Sequence, residues 1–181
     1  YNPLANQITF PAAILQPPFF DPDAEPAMNY GAIGAVIGHE ITHGFDDQGS
    51  RFGPTGNFEN WWTPADATGF TSRTDKLIKQ FDAYEAMPGL KVNGKLTLGE
   101  NIADLGGLAT AYDAMKIANA SKTDPMTGGL SEDQRFFLSF GTAWRSHMTP
   151  EVMKVQLASD PHSPAMFRAK GTPANLPAFA A

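Results

Sequence analysis

Two histidines four residues apart, with a glutamate beside the first, stand at His39-Glu40-Ile41-Thr42-His43 and form the pattern H-E-x-x-H. On a helix, positions i and i+4 share a face, so His39 and His43 can present two imidazoles to one metal ion. Glu40 leans over the same point. Two nitrogens suit zinc, and the neighbouring carboxylate can handle the proton of a zinc-bound water, which is the chemistry of metal-assisted hydrolysis. The flanks argue against an accident of sequence. Ala32, Ile33, Ala35, Val36, Ile37 and Ile41 make this segment apolar almost all round. Polar groups on so buried a helix need partners.

A catalytic zinc takes three protein ligands and a water. The metzincin pattern would need Gly three residues after His43 and His three further on. Asp46 and Gly49 stand there, so that class is excluded. A ligand Glu about twenty residues after the second His, as in thermolysin-like sites, fits poorly. Trp61 and Trp62 occupy that region, and Glu59 is the nearest carboxylate. The better candidate is Leu98-Gly99-Glu100-Asn101-Ile102-Ala103-Asp104. Glu100 and Asp104 share a helix face. One carboxylate could bind zinc while the other accepts from the free ring nitrogen of a ligating His and fixes its tautomer. Thr97-Leu98-Gly99-Glu100 is equally a capping box, in which Glu100 would only close the start of a helix. Asp46 could buttress the second His or be an ordinary turn residue.

These residues need elements to hold them. Residues 1–28 are Pro-rich, with a short strand expected over 7–10, one helical turn over 12–16 and Phe19-Phe20 as packing anchors. This arm reads either as a wrapped surface segment or as a wall of a cleft. The H-E-x-x-H helix is expected from about 29, with Asn29 as N-cap, to 43 or 44. Residues 45–60 read as a long loop with at most a small hairpin, closed by the anchors Trp61-Trp62. Thr63-Pro64 starts a helix to about 84, with Phe70, Leu77, Ile78 and Phe81 as its buried stripe. Val92-Asn93-Gly94-Lys95 reads as a hairpin turn. Thr97 opens a helix to about 119, and 121–130 is a polar loop. Ser131 caps a helix over 132 to 145 or 147, with Phe136, Phe137, Phe140 and Trp144 on its apolar side. A helix beginning at Thr149-Pro150 ends before Asp160. A stiff loop over 160–164, a short helix over 164–169 and a loose tail over 171–181 complete the chain. The expectation is a single, mainly helical domain over 1–181 with few, short strands.

The 181 residues suit one domain with a sizeable core. A net charge of -6 without a basic cluster argues against nucleic-acid binding. With no Cys, disulfides and thiol chemistry are excluded. No apolar run is long enough to span a membrane.

Beyond the motif itself, the chain resembles the neprilysin family of zinc metallopeptidases, which includes the endothelin-converting enzymes and bacterial oligopeptidases. The likeness is carried by Asn6-Gln7-Ile8, by F-P-A-A-I-L-Q-P-P-F-F over 10–20 and by N-Y-G-A-I-G-A-V-I-G-H-E-I-T-H-G-F-D-D over 29–47. It continues through Trp61-Trp62, L-G-E-N-I-A-D-L-G-G-L over 98–108 and D-P-H-S-P-A-M-F-R over 160–168. The resemblance implies a mainly helical, thermolysin-like gluzincin core, α+β with few short strands. It implies one zinc ion held by His39, His43 and Glu100, with Glu40 as catalytic general base. Asp104 is then the partner of the first His and Asp46 of the second. His162 stabilises the transition state, and Arg168 binds the substrate backbone. It further implies metalloendopeptidase activity on oligopeptides and an extracellular or periplasmic setting. The family's substrate-binding Asn-Ala pair and its large upstream helical portion lie outside this sequence, so the chain reads as the catalytic core of a longer protein. A second chain or the upstream portion is then an expected partner. The competing class is a zinc-binding core that docks a partner without turnover. An aminopeptidase would need an acidic motif ahead of His39 to hold the substrate N-terminus, and none is evident.

Overall fold

The helix that carries the two histidines changes pitch along its length. In the computed structural model, which describes residues 1–123 and 126–180, α1 (Pro26–Asn29) runs into a wide π turn over Tyr30–Gly34. It continues as α2 (Ala35–Thr42) and tightens over His43–Phe45. The start is set by Pro26, whose fixed φ suits a first helical position. Asn29 therefore lies inside the helix and is not its N-cap. Its side chain instead ties down the arm, accepting from Asp21 N at 3.0 Å and donating to Asp21 O at 2.7 Å.

Three helix starts follow their sequence signals. Before α3 (Pro64–Asp82), Thr63 and Asp66 form a reciprocal capping box. Ser131 and Gln134 do the same before α5 (Glu132–Ala143), and Thr149 accepts from Val152 N at the head of α6 (Pro150–Ser159). The strands differ from expectation. The segment over 7–10 is not a strand: Gln7 pairs only with Asn2 across a tight local loop. The two strands found are β1 (Glu85–Met87) and β2 (Leu90–Lys91), an antiparallel hairpin. Its turn is Pro88-Gly89, with Gly89 at φ +76, because Pro then Gly supplies the dihedrals such a turn needs. That hairpin begins just after α3, which stops at Asp82, short of 84. Asn93-Gly94, expected as the hairpin turn, forms an Asx turn. Asn93 Oδ1 accepts from the main-chain nitrogens of Lys95 and Leu96 and leads into α4 (Leu98–Ala118).

Helix α2 packs one side against α4, and the α1–π stretch packs against α5. Ile37 and Ile41 face outward and are exposed, so the helix is not buried all round as its apolar sequence suggests. Their shared core holds Ala27, Ala35, Leu108, Ala111, Met115, Phe136, Phe137, Phe140 and Leu176. A second cluster of Phe81, Val92 and Phe167 joins α3 and the hairpin to α7 (Ala165–Gly171). The segment expected as a loose tail is packed. Thr172, Pro173 and Leu176 are buried, and a turn over Pro173–Asn175 leads to α8 (Pro177–Ala180). The cause is Leu176, which enters the main core. Helix α5 ends at Ala143, short of 145, so Trp144 turns out of the helix. Trp61 is half exposed and stacks on Trp62 without entering either core. Of the polar loop over 121–130, Asp124 and Pro125 lie outside the described residues. No helix among the described residues is long and apolar enough to cross a membrane.

Two positions on α5 test this core. Phe136 is fully buried and Leu138 is 58% exposed. Phe136→Ala should cost about 3–5 kcal/mol in urea unfolding, while Leu138→Ala should stay within about 0.5 kcal/mol. Equal losses would contradict the packing described.

Candidate metal centre and active site

Helices α2 and α4 bring three ligand-type atoms together. His39 and His43 project from successive turns, with their Nε2 atoms 2.9 Å apart. Glu100, in the first turn of α4, places Oε2 3.2 Å from His39 Nε2 and Oε1 3.6 Å from His43 Nε2. One ligand atom from each of the three residues lies within 4.8 Å of the others, the one such group of potential metal ligands among the described residues. The capping role open to Glu100 is not adopted. Thr97 makes no side-chain cap; its hydroxyl donates to Asn93 O and accepts from Asn101 Nδ2.

The far side of each imidazole is occupied. His39 Nδ1 lies 2.8 Å from Asp104 Oδ1, and His43 Nδ1 lies 2.7 Å from Asp46 Oδ2. Asp46 is itself fixed by main-chain N–H groups of Gln48 and Gly49 on Oδ1. A ring that donates its Nδ1–H to a carboxylate turns a lone pair outward at Nε2. Two such lone pairs then face each other and the Glu100 carboxylate, whose buried Oε2 has no hydrogen bond of ordinary geometry. Three electron-pair donors converging without a shared proton donor fit a cation, and two imidazoles with one carboxylate fit zinc.

Without a metal, a proton answers the same demand. Burial disfavours the charged form of His39, but the hydrogen bond to Asp104, the Glu100 carboxylate 3.2 Å away and the charge of Asp104 outweigh it. Its pKa is lifted from the ordinary 6.5 to about 9. Burial would raise Asp104, yet the charge and hydrogen bonds of Arg168, together with His39, hold it down at about 2. Glu100 and Asp46 are likewise held low against burial, chiefly by His39 and His43 respectively.

Around these ligands lies a cleft of about 640 Å³ lined by Tyr1, Glu40, Lys95, Leu96, Pro161 and His162 among others. Tyr1 and Pro3, at the start of the Pro-rich arm, line this cleft, so that the arm does not merely wrap the surface. His162 reaches in from the loop before α7, with Nε2 3.2 Å from Glu100 Oε2. A smaller pocket of about 140 Å³ adjoins Glu40 and His39. Its walls include the apolar Ala32, Val36, Phe140 and Trp144, and Arg168 closes it. Arg168 does pair with Asp104, through Nε and Nη2 at 2.7 Å each.

All eight residues singled out from the sequence therefore meet at one place. Four others that help build it were missed. Asp160 holds His162 through both its main-chain nitrogen and Nδ1, at 2.8 Å each. Its signal was present, an Asp two residues ahead of a His, as in an Asx turn. Trp144, read only as a core aromatic, lies under the Arg168 guanidinium at 3.7 Å. Asn101 and Ser163 form a fully buried hydrogen bond of 2.8 Å that ties the His162 loop to α4. No local pattern marks that pair, because the two residues lie far apart in the chain.

Two carboxylate-backed histidines and a glutamate on crossed helices, with a further glutamate in the adjoining cleft, belong to the gluzincin class of zinc metallopeptidase. The whole chain, residues 1–181, matches the description of peptidase family M13, and the chain belongs to that family. It is 45% identical to neprilysin-11 of Caenorhabditis elegans, over 99% of this chain and 22% of that protein. It is also 45% identical to endothelin-converting enzyme 1 of Mus musculus, over 99% of this chain and 24% of that protein. The crystal structure of the Mycobacterium tuberculosis zinc metalloprotease ZMP1 in complex with inhibitor superposes with a TM-score of 0.96 at 49% identity. That match covers 99% of this chain and 28% of the other. The chain thus spans about a quarter of the length of the proteins it matches.

The raised pKa of His39 has a thermodynamic consequence. A cation favoured by folding contributes stability that is complete below pH 6.5 and lost as pH rises through about 9. The Tm of the chelator-treated chain should therefore fall between pH 6.5 and 9. Saturating zinc should flatten that slope, since the metal replaces the proton. A metal-free Tm that stays level or climbs over this window would contradict the account of His39.

Proposed function

We propose that the chain is the catalytic core of a zinc metalloendopeptidase that hydrolyses peptide bonds in oligopeptides, with one zinc ion held by His39, His43 and Glu100. The observation that carries this reading is the convergence of two carboxylate-backed imidazoles and the Glu100 carboxylate beside Glu40. When bound, zinc supplies Lewis acidity, lowering the pKa of water and polarising a carbonyl.

The remaining work falls to the chain. Glu40 stands on the wall of both the cleft and the small pocket. Its carboxylate takes the proton of the attacking water and delivers it to the leaving amine nitrogen. His162, positioned by Asp160, donates from Nε2 to the developing oxyanion, a contact worth roughly 3 kcal/mol in comparable sites. Arg168 spends Nε and Nη2 on Asp104 and leaves Nη1 for a substrate carbonyl. The apolar walls of the 140 Å³ pocket suit a hydrophobic substrate side chain next to the scissile bond. Asp104 and Asp46 keep the two imidazoles in the tautomer that turns Nε2 to the metal. The family reading also carries an extracellular or periplasmic setting.

A second reading is favoured by one observation: the matched relatives are about four times longer. On that reading the chain binds zinc but turns over only with an upstream helical portion or a second chain in place. Hydrolysis of a quenched oligopeptide separates the two. The zinc-loaded full chain should cleave it and a chelator should stop it. Glu40→Gln should lower kcat by roughly 10²–10⁴-fold while one zinc stays bound. Substantial peptidase activity in that zinc-loaded variant would falsify the role of Glu40. A zinc-loaded wild-type chain without activity would favour the second reading.

A further inference from the structure

The two ligand-bearing helices touch through their backbones, and this contact lies on the same faces that carry the ligands. On α4, Glu100, Asp104 and Gly107 fall at helical spacing along one stripe. On α2, Gly38 adjoins His39. A Cβ at Gly107 would sit 2.3 Å from His39 N, 2.6 Å from Ala35 O and 2.8 Å from His39 Cα. A Cβ at Gly38 would sit 2.7 Å from Gly107 O and 2.8 Å from Gly107 Cα. All of these are main-chain atoms, so no rotamer change can relieve the overlap. Gly106 packs differently: its Cβ would meet the Thr42 side chain, Cγ2 at 2.6 Å and Oγ1 at 2.7 Å.

We infer that Gly107 and Gly38 are positioning residues for the metal: their backbone contact sets the separation at which Glu100 on one helix meets His39 and His43 on the other. The inference rests on the metal-site reading above. Restoring ordinary contact at Gly107 means parting the helices by about 1 Å. A zinc shell tolerates errors of only about 0.2 Å in its bond lengths. A single methyl group at this crossing therefore moves Glu100 by several times what the ion accepts. The hydrogen bond of Asp104 to His39 crosses the same gap, and it stretches with it. Gly106 contributes in a weaker way, because Thr42 is a side chain that can be trimmed.

Zinc affinity of the full chain, measured by competition with a chelating indicator, tests this together with the visible absorption of the cobalt(II)-loaded chain. Gly107→Ala should weaken zinc binding by on the order of 100-fold, and its cobalt spectrum should lose the intensity of a four-coordinate site. Leu108→Ala is the control. Leu108 is fully buried on the next position of α4 but is packed in the main core. It should lose thermal stability while keeping zinc affinity within about threefold. Gly106→Ala serves if Gly107→Ala does not fold: it should bind zinc at least about tenfold more weakly, and adding Thr42→Ala should restore most of that loss. Less than about a tenfold loss in folded Gly107→Ala, or an equal loss in Leu108→Ala, overturns the inference. So does a Gly106→Ala defect that Thr42→Ala leaves untouched, or no defect at all. A wild-type chain that takes up no zinc overturns instead the metal-site reading beneath it.

Discussion

A single buried carboxylate ties the site together. Asp104 is almost fully enclosed and is met by three nitrogens: His39 Nδ1 from α2, and Nε and Nη2 of Arg168 from α7. A charge taken out of water is tolerated only where its partners are close and well aligned. Here the contact is bidentate on one side and a 2.8 Å hydrogen bond from a ring nitrogen on the other. Removing Arg168 would leave an uncompensated buried charge, which costs about 3–5 kcal/mol in comparable settings. Three helices are thereby fixed relative to one another by one side chain. The aromatic face of Trp144 completes the shell by covering the guanidinium. Asp104 thus links the orientation of a candidate metal ligand to the placement of a candidate substrate-binding arginine.

The same charge balance explains why the ligands look incomplete without an ion. Glu40, Asp46, Asp47 and Glu100 all line the cleft, and Arg168 is already committed to Asp104. A divalent cation meets that excess of negative charge more fully than the single proton that His39 can hold. If an ion binds at this candidate site, folding and ion binding are coupled at His39, where either a proton or a metal would satisfy the same lone pair.

What the sequence made legible follows from the range of each interaction. Helix starts at Thr63, Ser131 and Thr149 are local, since the cap lies within three residues of the group it satisfies. The spacing of His39 and His43 is local for the same reason. Glu100 against Asp104 was not decidable from spacing, because both lie on one face of α4. Only the crossing with α2 places Glu100 at Nε2 and Asp104 at Nδ1 of the same ring. The resemblance to a known family supplied that assignment ahead of the geometry. The loose tail failed as an expectation because one residue, Leu176, finds a core built by distant helices. The strand over 7–10 failed for the opposite reason. Its β-forming residues meet no neighbouring strand among the described residues, and a strand without a partner leaves its main-chain groups unpaired.

The two sides of the site are held with different stiffness, and the difference matches what each has to do. His39 is itself buried, braced by Asp104 and by the close backbone approach between α2 and α4. His162 is on a loop, 45% exposed, and its own carboxylate partner Asp160 is exposed to a similar degree. What keeps that loop from drifting is a polar contact deep beneath it, where Ser163 donates to Asn101 and Asn101 donates to Thr97. A metal shell gains from rigidity, because affinity falls with small errors of position. A group that must meet a charge only as it develops needs room for the substrate to enter first. Anchoring the loop at its buried residue while leaving its histidine in the open cleft meets both requirements. It also places the anchor on α4, one residue from Glu100, so the candidate metal ligand and the candidate oxyanion donor are referenced to the same turn of helix.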